Sequence, residues 1–233
     1  MFARRMILPL ISGLLGTAVL LSLGFWQVDR MGQKAAVIAA IEARIHDAPD
    51  PLPATPDPEA DRYRPVLADG RFTGAEALVL SSQREAGPGF RVIGVFEADT
   101  GQRILVDRGY IPQGLGATPR PASDVPVQIE GNLDWPQDSD AYTPDPDLGR
   151  NLWFSRDVEP LAAHLDTQAA MVVLRATSER DPPAQPMPIA TADIPDDHLE
   201  YAITWFALAA VWAGMTAILL WRMRREGSKE DTQ

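Results

Sequence analysis

Residues 6–26 read MILPLISGLLGTAVLLSLGFW, residues 201–221 read YAITWFALAAVWAGMTAILLW, and neither stretch contains a charged residue. A helix of about 20 apolar residues is what a hydrocarbon core roughly 30 Å thick requires. Tyr201, Trp205 and Trp221 stand near the ends of the second stretch, as is typical of side chains at a membrane interface. The two stretches therefore predict two transmembrane helices, with the rest of the chain between them.

A cleaved signal peptide is the alternative interpretation of the first stretch, because Arg4 and Arg5 precede it. The apolar run is too long for a signal peptide, and no small-residue cleavage site follows it. We therefore expect a permanent membrane anchor.

Small residues recur along both apolar stretches at spacings that would place them on one helix face. This pattern predicts close packing of the two spans, but Gly and Ala are also common in membrane helices that do not pack in this way. The residues concerned are Gly13, Thr17 and Gly24 in the first stretch and Ala207, Ala210, Gly214 and Ala217 in the second.

Charge is distributed unevenly along the chain. Residues 28–221 hold 15 of the 21 Lys and Arg residues but 29 of the 32 Asp and Glu residues. Basic residues instead flank the outer ends of the apolar stretches, which is typical of cytoplasmic segments. The sequence thus predicts cytoplasmic termini at 1–5 and 222–233, transmembrane helices at 6–28 and 201–221, and an extracytoplasmic domain at 29–200.

The composition of the domain excludes several classes of function. An acidic domain has no basic face for nucleic acid, so we expect no nucleic-acid partner. The chain has no cysteine, so its domain must be stable without disulfides and offers no thiol chemistry. It also lacks a G-x-S-x-G elbow, a Gly-rich nucleotide loop and an H-E-x-x-H helix, and we do not expect an enzyme.

The segment after the first span begins with residues 31–45, MGQKAAVIAAIEARI, whose apolar spacing predicts a stalk helix that ends at a proline cluster. Short runs rich in β-branched and aromatic residues predict strands, and residues 157–165 predict a short helix. We therefore expect a mainly β, α+β domain, either a sandwich or a small barrel. The predicted strands are residues 63–67, 77–81, 90–96, 103–106, 125–133 and 171–175; residues 143–147 and 181–188 are predicted loops.

Closely spaced acidic residues could bind a metal ion. The acidic pairs Asp138 with Asp140 and Asp145 with Asp147 resemble calcium ligands, but the Gly and final Glu of an EF-hand loop are missing, so we interpret them as solvated loop charges. We predict no site for a resident metal ion.

Among the three histidines, His46 and His164 fall in positions typical of structural or solvent-facing residues, whereas His198 opens the second span. On a helix, His198 shares a face with Tyr201 and Trp205. A neutral imidazole is a good axial ligand for haem iron; the helix N-terminus favours neutrality, and Asp196 and Asp197 oppose it. A local hydrogen-bonding role for His198 remains the alternative. The absence of C-x-x-C-H excludes covalent attachment of haem.

Four short stretches occur in order along the chain: residues 23–30 (LGFWQVDR), 105–110 (LVDRGY), 151–154 (NLWF) and 198–206 (HLEYAITWF). Together they resemble the motifs of the surfeit locus protein 1 family, whose members are assembly factors for cytochrome c oxidase; the first corresponds to L-G-x-W-Q-x-x-R and the second to V-N-R-G-W. Departures from these motifs are Asp107 in place of Asn, Tyr110 in place of Trp, and Asp197 in place of the Asn before the histidine.

The resemblance implies a chaperone that helps to insert haem a into oxidase subunit I, with His198 at the position of the proposed haem ligand. The implied cofactor is noncovalent, transiently bound haem a, and the implied partners are subunit I, haem a synthase and the lipid bilayer. A scaffold that stabilises an oxidase assembly intermediate without binding haem is the alternative function. Because only five residues precede Met6, we expect a bacterial inner-membrane protein with its main domain in the periplasm, rather than a mitochondrial one.

The remaining motif residues have simpler structural interpretations. We interpret Trp26 as an interfacial residue, Arg30 as its charged flank, Gly109 as a turn after a strand, and Trp153 as a core residue. Arg108 matches the family motif without a role that the sequence alone assigns.

Overall fold

The fold is described from a computed structural model that covers residues 2–84, 86–116, 118, 120–191 and 197–230, with side chains for residues 6–225 of these. Within it, the chain forms two compact units. One unit, called the helical unit after its described residues, comprises residues 1–40 and 192–233; the other, called the barrel unit, comprises residues 41–191. The side chains of Arg4, Arg5 and Lys229, on which the charge argument partly rests, lie outside the described set.

The helices of the chain are α1 (Phe2–Ile45), α2 (Val158–Leu165) and α3 (His198–Glu230). Both α1 and α3 are long and apolar enough to cross a membrane, and in each only 6% of the most apolar window is buried inside the protein. Such exposed apolar surface is stable in lipid rather than in water. Helix α1 continues without a break through residues 31–45, which confirms the predicted stalk helix. The membrane boundaries at 6–28 and 201–221 stay predictions.

The second unit is built around a closed sheet of five strands. Strand β2 pairs with β3, β3 with β4, β4 with β7, β7 with β5, and β5 returns to β2. All of these pairings are antiparallel except β4 with β7. The strands are β1 (Asp50–Pro51), β2 (Pro65–Gln83), β3 (Gly87–Ala98), β4 (Arg103–Pro112), β5 (Val127–Asp134), β6 (Leu152–Trp153) and β7 (Met171–Thr177). The mainly β prediction is confirmed, and of its two forms the barrel is the observed one.

The closure of the barrel depends on the length of β2, which the sequence pattern divided into two strands. Its first part pairs with β5 as far as Gly70, and from Gly70 onward it pairs with β3. The register shifts between Phe72 and Glu76, around Gly74 at φ +83°. Polar residues and Gly in this stretch resemble a turn, but here they form an irregularity that bends one continuous strand.

The barrel core is apolar and tightly closed. Phe72 and Phe96 meet edge to face with ring centroids 5.1 Å apart, and both are fully buried. Helix α2 contributes Leu161, which is also fully buried, and Trp153 is 5% exposed, so its predicted core position is confirmed. Removing this apolar surface from water stabilises a domain that has no disulfides, because the chain has no cysteine.

Candidate functional site

The sequence motif at the end of the first apolar stretch lies on α1, and its side chains have very different environments. Phe25 and Trp26 are 65% and 52% exposed, consistent with a lipid or interfacial position. Gln27, in contrast, is a buried polar residue. A buried amide in an apolar helix needs a hydrogen-bond partner.

That partner is His198, the first residue of α3. The Nδ1 atom of His198 lies 2.8 Å from Oε1 of Gln27, and both residues belong to the helical unit. Because the amide oxygen of Gln27 only accepts, Nδ1 is the donor in this contact, and a neutral ring in this arrangement would have its lone pair on Nε2. An orienting hydrogen bond on one ring nitrogen is how proteins fix the tautomer of a histidine that binds a metal through the other.

The contact between Gln27 and His198 depends on close packing of α1 and α3, and glycines in α1 permit it. A Cβ atom at Gly13 would lie 2.1 Å from Thr216, one at Gly16 2.3 Å from Trp212, and one at Gly24 2.6 Å from Phe206. The predicted packing of the spans is therefore observed. The residues in contact differ from those predicted. Larger side chains of α3 pack against the glycines of α1, whereas Gly214 of α3 has no neighbour within 4 Å of its Cβ position.

Aromatic residues follow His198 along α3, as the sequence spacing predicts. Tyr201 is 55% exposed and Trp205 is half-buried. Phe206 packs against Phe25 of α1 edge to face, with centroids 5.3 Å apart. His198 is thus beside an apolar aromatic surface, and Asp197 is exposed next to it. Asp196, expected to oppose imidazole neutrality, lies outside the described residues.

A cavity of about 390 Å³ adjoins His198. Its other lining residues all come from α1: Arg30, Gln33, Lys34 and Val37. This volume is within the range of small-molecule sites, and the lining combines an imidazole, two cations and an apolar side chain. Within the described part of the chain, no group of three or more His, Asp or Glu residues could hold a metal ion.

The other two histidines lie in the barrel unit and are exposed. The ring of His164 packs on Trp153, with centroids 5.3 Å apart. The acidic pairs considered as calcium ligands have local partners: Asp138 pairs with Arg156 at 2.7 Å, and Asp147 accepts from the N–H of Arg150.

The motif at residues 105–110 lies in the barrel. Asp107 is fully buried, pairs with Arg91 at 2.6 Å and accepts the N–H of Gly109. Arg108 is also buried, bonds both carboxylate oxygens of Glu179 at 2.8 Å and stacks on the ring of Phe72. Burial lowers the pKa of Arg108, and the nearby Glu179 opposes that change.

Gly109 is not a turn after a strand, as its sequence context suggested, but lies inside β4. The register shift there leaves Arg108 without a paired residue on β3, which is a β-bulge. Gly109 has φ +109°, and a Cβ would lie 1.9 Å from the carbonyl oxygen of Gln185. Glycine is therefore required for Gln185 to pair with Tyr110, and this pairing holds the 179–187 segment on the barrel.

Sequence reasoning selected His198 but gave no role to Gln27. The only signal for Gln27 was its place in the motif of residues 23–30, because its partner is 171 residues away in the sequence.

Two apolar spanning helices and a closed five-stranded barrel define a two-span membrane protein with one folded domain between the spans. Residues 14–210 match the model of the SURF1 family, and the chain therefore belongs to that family. It is 31% identical to the SURF1-like protein of Monosiga brevicollis over 90% of this chain and 85% of that protein. It is 30% identical to human Surfeit locus protein 1 (81% and 69% covered) and 27% identical to the SURF1-like protein of Rickettsia bellii strain RML369-C (82% and 82%).

Proposed function

We propose that this protein is a non-catalytic assembly factor for haem–copper oxidase, which binds haem a through His198 and assists its insertion into subunit I. The observation that carries the proposal is the 2.8 Å contact between Nδ1 of His198 and Oε1 of Gln27. It joins the two family motifs at the ends of the spans into one site. Membership of the SURF1 family supports the same role.

The site fits a haem in its chemistry. His198 would hold the haem through its Nε2 atom, because a neutral imidazole binds haem iron, and the porphyrin itself would supply the other nitrogen ligands of the iron. One histidine with a defined tautomer is therefore sufficient on the protein side, in a chain without a larger ligand cluster among its described residues. Gln27 orients the ring, and the neighbouring aromatic and apolar surface suits a hydrophobic cofactor.

The proposal places the protein in a bacterial inner membrane with the barrel in the periplasm. Basic termini support that orientation, and a bacterial relative from Rickettsia supports the setting. Subunit I would be the client and haem a synthase the donor, because the cofactor has to pass between membrane proteins without release into water.

The test is the visible spectrum of the detergent-purified protein, co-expressed with the haem a biosynthetic enzymes. We expect a haem a spectrum in the parent, its loss in His198→Ala, and an altered or weakened spectrum in Gln27→Leu, because Nδ1 loses its partner. His46→Ala and His164→Ala are the matched controls, since both histidines are exposed in the other unit.

The alternative function is a scaffold that stabilises an oxidase assembly intermediate without binding haem. Exposed apolar residues along both spans would suit a helix-to-helix contact with a client. Absence of haem from the well-folded parent, together with full complementation of oxidase assembly by His198→Ala, would favour the scaffold over the haem carrier.

A further inference from the structure

The cavity beside His198 carries two cations on the same face of α1. Gln27, Arg30 and Lys34 are spaced i, i+3 and i+7, which places them along one helix face. At 1.5 Å rise per residue, Arg30 and Lys34 lie roughly 4.5 Å and 10.5 Å along the axis from Gln27. The cations therefore continue in one direction from the residue that orients His198.

Local hydrogen bonds organise the first of these cations. Nη1 of Arg30 donates to Oε1 of Gln33 at 3.0 Å, and Nε2 of Gln33 donates to Oδ2 of Asp29 at 2.7 Å. A guanidinium has five N–H donors in a planar fork that matches a carboxylate. One contact to a neutral amide orients this fork without neutralising its charge.

We propose that Arg30 and Lys34 bind the carboxylate groups of the tetrapyrrole whose iron is ligated by His198. The inference rests on the proposed function and deepens it by assigning the recognition of the anionic edge. Charge-assisted hydrogen bonds to carboxylates are stronger than neutral ones, and a membrane-edge site strengthens them further.

The assignment gives the site an orientation. His198 and the two cations line one cavity, so a ligand held by both has its metal at α3 and its carboxylates along α1. A ligand with the metal but without free carboxylates would keep only the imidazole contact. Specificity for a dianionic tetrapyrrole would thus come from α1, and iron ligation from α3.

Titration of haem a into the full-length protein in phosphatidylcholine nanodiscs tests this assignment. The variants are Arg30→Gln, Lys34→Gln, their combination and Arg30→Lys. Arg150→Gln is the matched control, because Arg150 is an exposed arginine of the barrel unit. Haem a dimethyl ester, whose carboxylates are capped, is the second probe.

We expect each single neutralisation to raise the dissociation constant for haem a about fivefold, and the double variant more, as for charge-assisted contacts at a partly solvated site. Arg30→Lys should have a smaller effect, and Arg150→Gln none. All variants should bind the dimethyl ester as weakly as the parent does and should retain the imidazole-ligated spectrum.

Each contrary outcome has a distinct meaning. Equal binding of haem a by the parent and the double variant, with His198 still required, would overturn the carboxylate assignment and leave the proposed function intact. No haem binding by the folded parent would overturn both. Phosphatidylglycerol in the nanodiscs is a third arm: Arg30-dependent competition by this lipid, with no difference between haem a and its ester, would assign the cations to a lipid phosphate instead.

Discussion

The two units of this chain bury polar groups in different ways. The barrel buries charged side chains: Asp107 and Arg108 are 0% and 4% exposed, and each is paired with a partly buried residue of opposite charge. The helical unit buries one uncharged amide, Gln27, and satisfies it with one imidazole. A charge is tolerated inside a protein core only when it is paired, and in a membrane helix it is more costly still. Charges therefore hold the barrel segments together, whereas among the described residues the helix pair combines close packing with the neutral contact between Gln27 and His198.

The largest expected effect is in the barrel, at Asp107. Replacement by Leu leaves Arg91 and Arg156 without their shared carboxylate, and we expect a loss of about 3–5 kcal/mol in the free energy of unfolding. Asp107→Asn keeps an acceptor for the N–H of Gly109 and should cost less. Urea unfolding of the detergent-solubilised protein, followed by tryptophan fluorescence, measures both. Equal losses would show that the charge, which both variants remove, decides the stability and that the retained acceptor for Gly109 contributes nothing.

Next in size is Gly109→Ala, which tests the bulge rather than the charge. The new Cβ would meet the carbonyl oxygen of Gln185, at a positive φ that disfavours side chains, so we expect a loss of roughly 2–4 kcal/mol. Gly114→Ala is the control, since nothing lies within 4 Å of its Cβ position. Matching stabilities for these two variants in the same unfolding assay would contradict the close approach.

In the helical unit, Gly16→Leu should separate α1 from α3 by filling the notch that Trp212 occupies, at a cost of about 1–3 kcal/mol in helix pairing. The chain has no cysteine, so Gln27→Cys with His198→Cys provides a reporter through a short bis-maleimide cross-linker. Cross-linking yield should fall with Gly16→Leu and persist with Gly32→Leu, a glycine without neighbours within 4 Å of its Cβ position.

The smallest effects are those of pH on two carboxyl groups of the barrel. Burial raises the pKa of Asp134, opposed by Arg62, so the stabilisation associated with its proton is present at low pH and lost as pH rises through the folded pKa. The N–H of Asp57 lowers the pKa of Asp61 despite some desolvation, and Arg64 contributes further. Its stabilisation is present at neutral pH and lost as pH falls through the folded pKa.

Urea midpoints of Asp134→Asn and Asp61→Asn relative to the parent, from about pH 3 to pH 7, test these opposite signs. The Asp134→Asn variant should gain on the parent as pH rises, and the Asp61→Asn variant should lose. Parallel curves would show that neither carboxyl group has the environment described.

Much of the fold was predictable because its signals are local. Uncharged runs of 21 residues specify α1 and α3, and four of the six predicted strand segments lie within observed strands. The other two, 63–67 and 125–133, each begin two residues before the observed strand, β2 and β5 respectively. The merging of two predicted segments into β2 was not predictable, because a bulge absorbs polar residues that elsewhere form a turn. The sequence predicted that α1 and α3 pack together, but it did not single out Gly16. That glycine matters because Trp212 of α3 packs against it, and this contact is not visible in the sequence of α1.

By itself, the sequence determined the two spans, the mainly β domain between them and the selection of His198 among three histidines. Hydropathy, alternation and a motif at a helix start are properties of neighbouring residues. Tertiary structure alone decided the closure of the barrel, the bulge at Arg108 and the pairing of His198 with Gln27. Each of these joins residues distant in the chain, and such contacts are selected by packing and hydrogen-bond satisfaction across the whole fold, which no local pattern records.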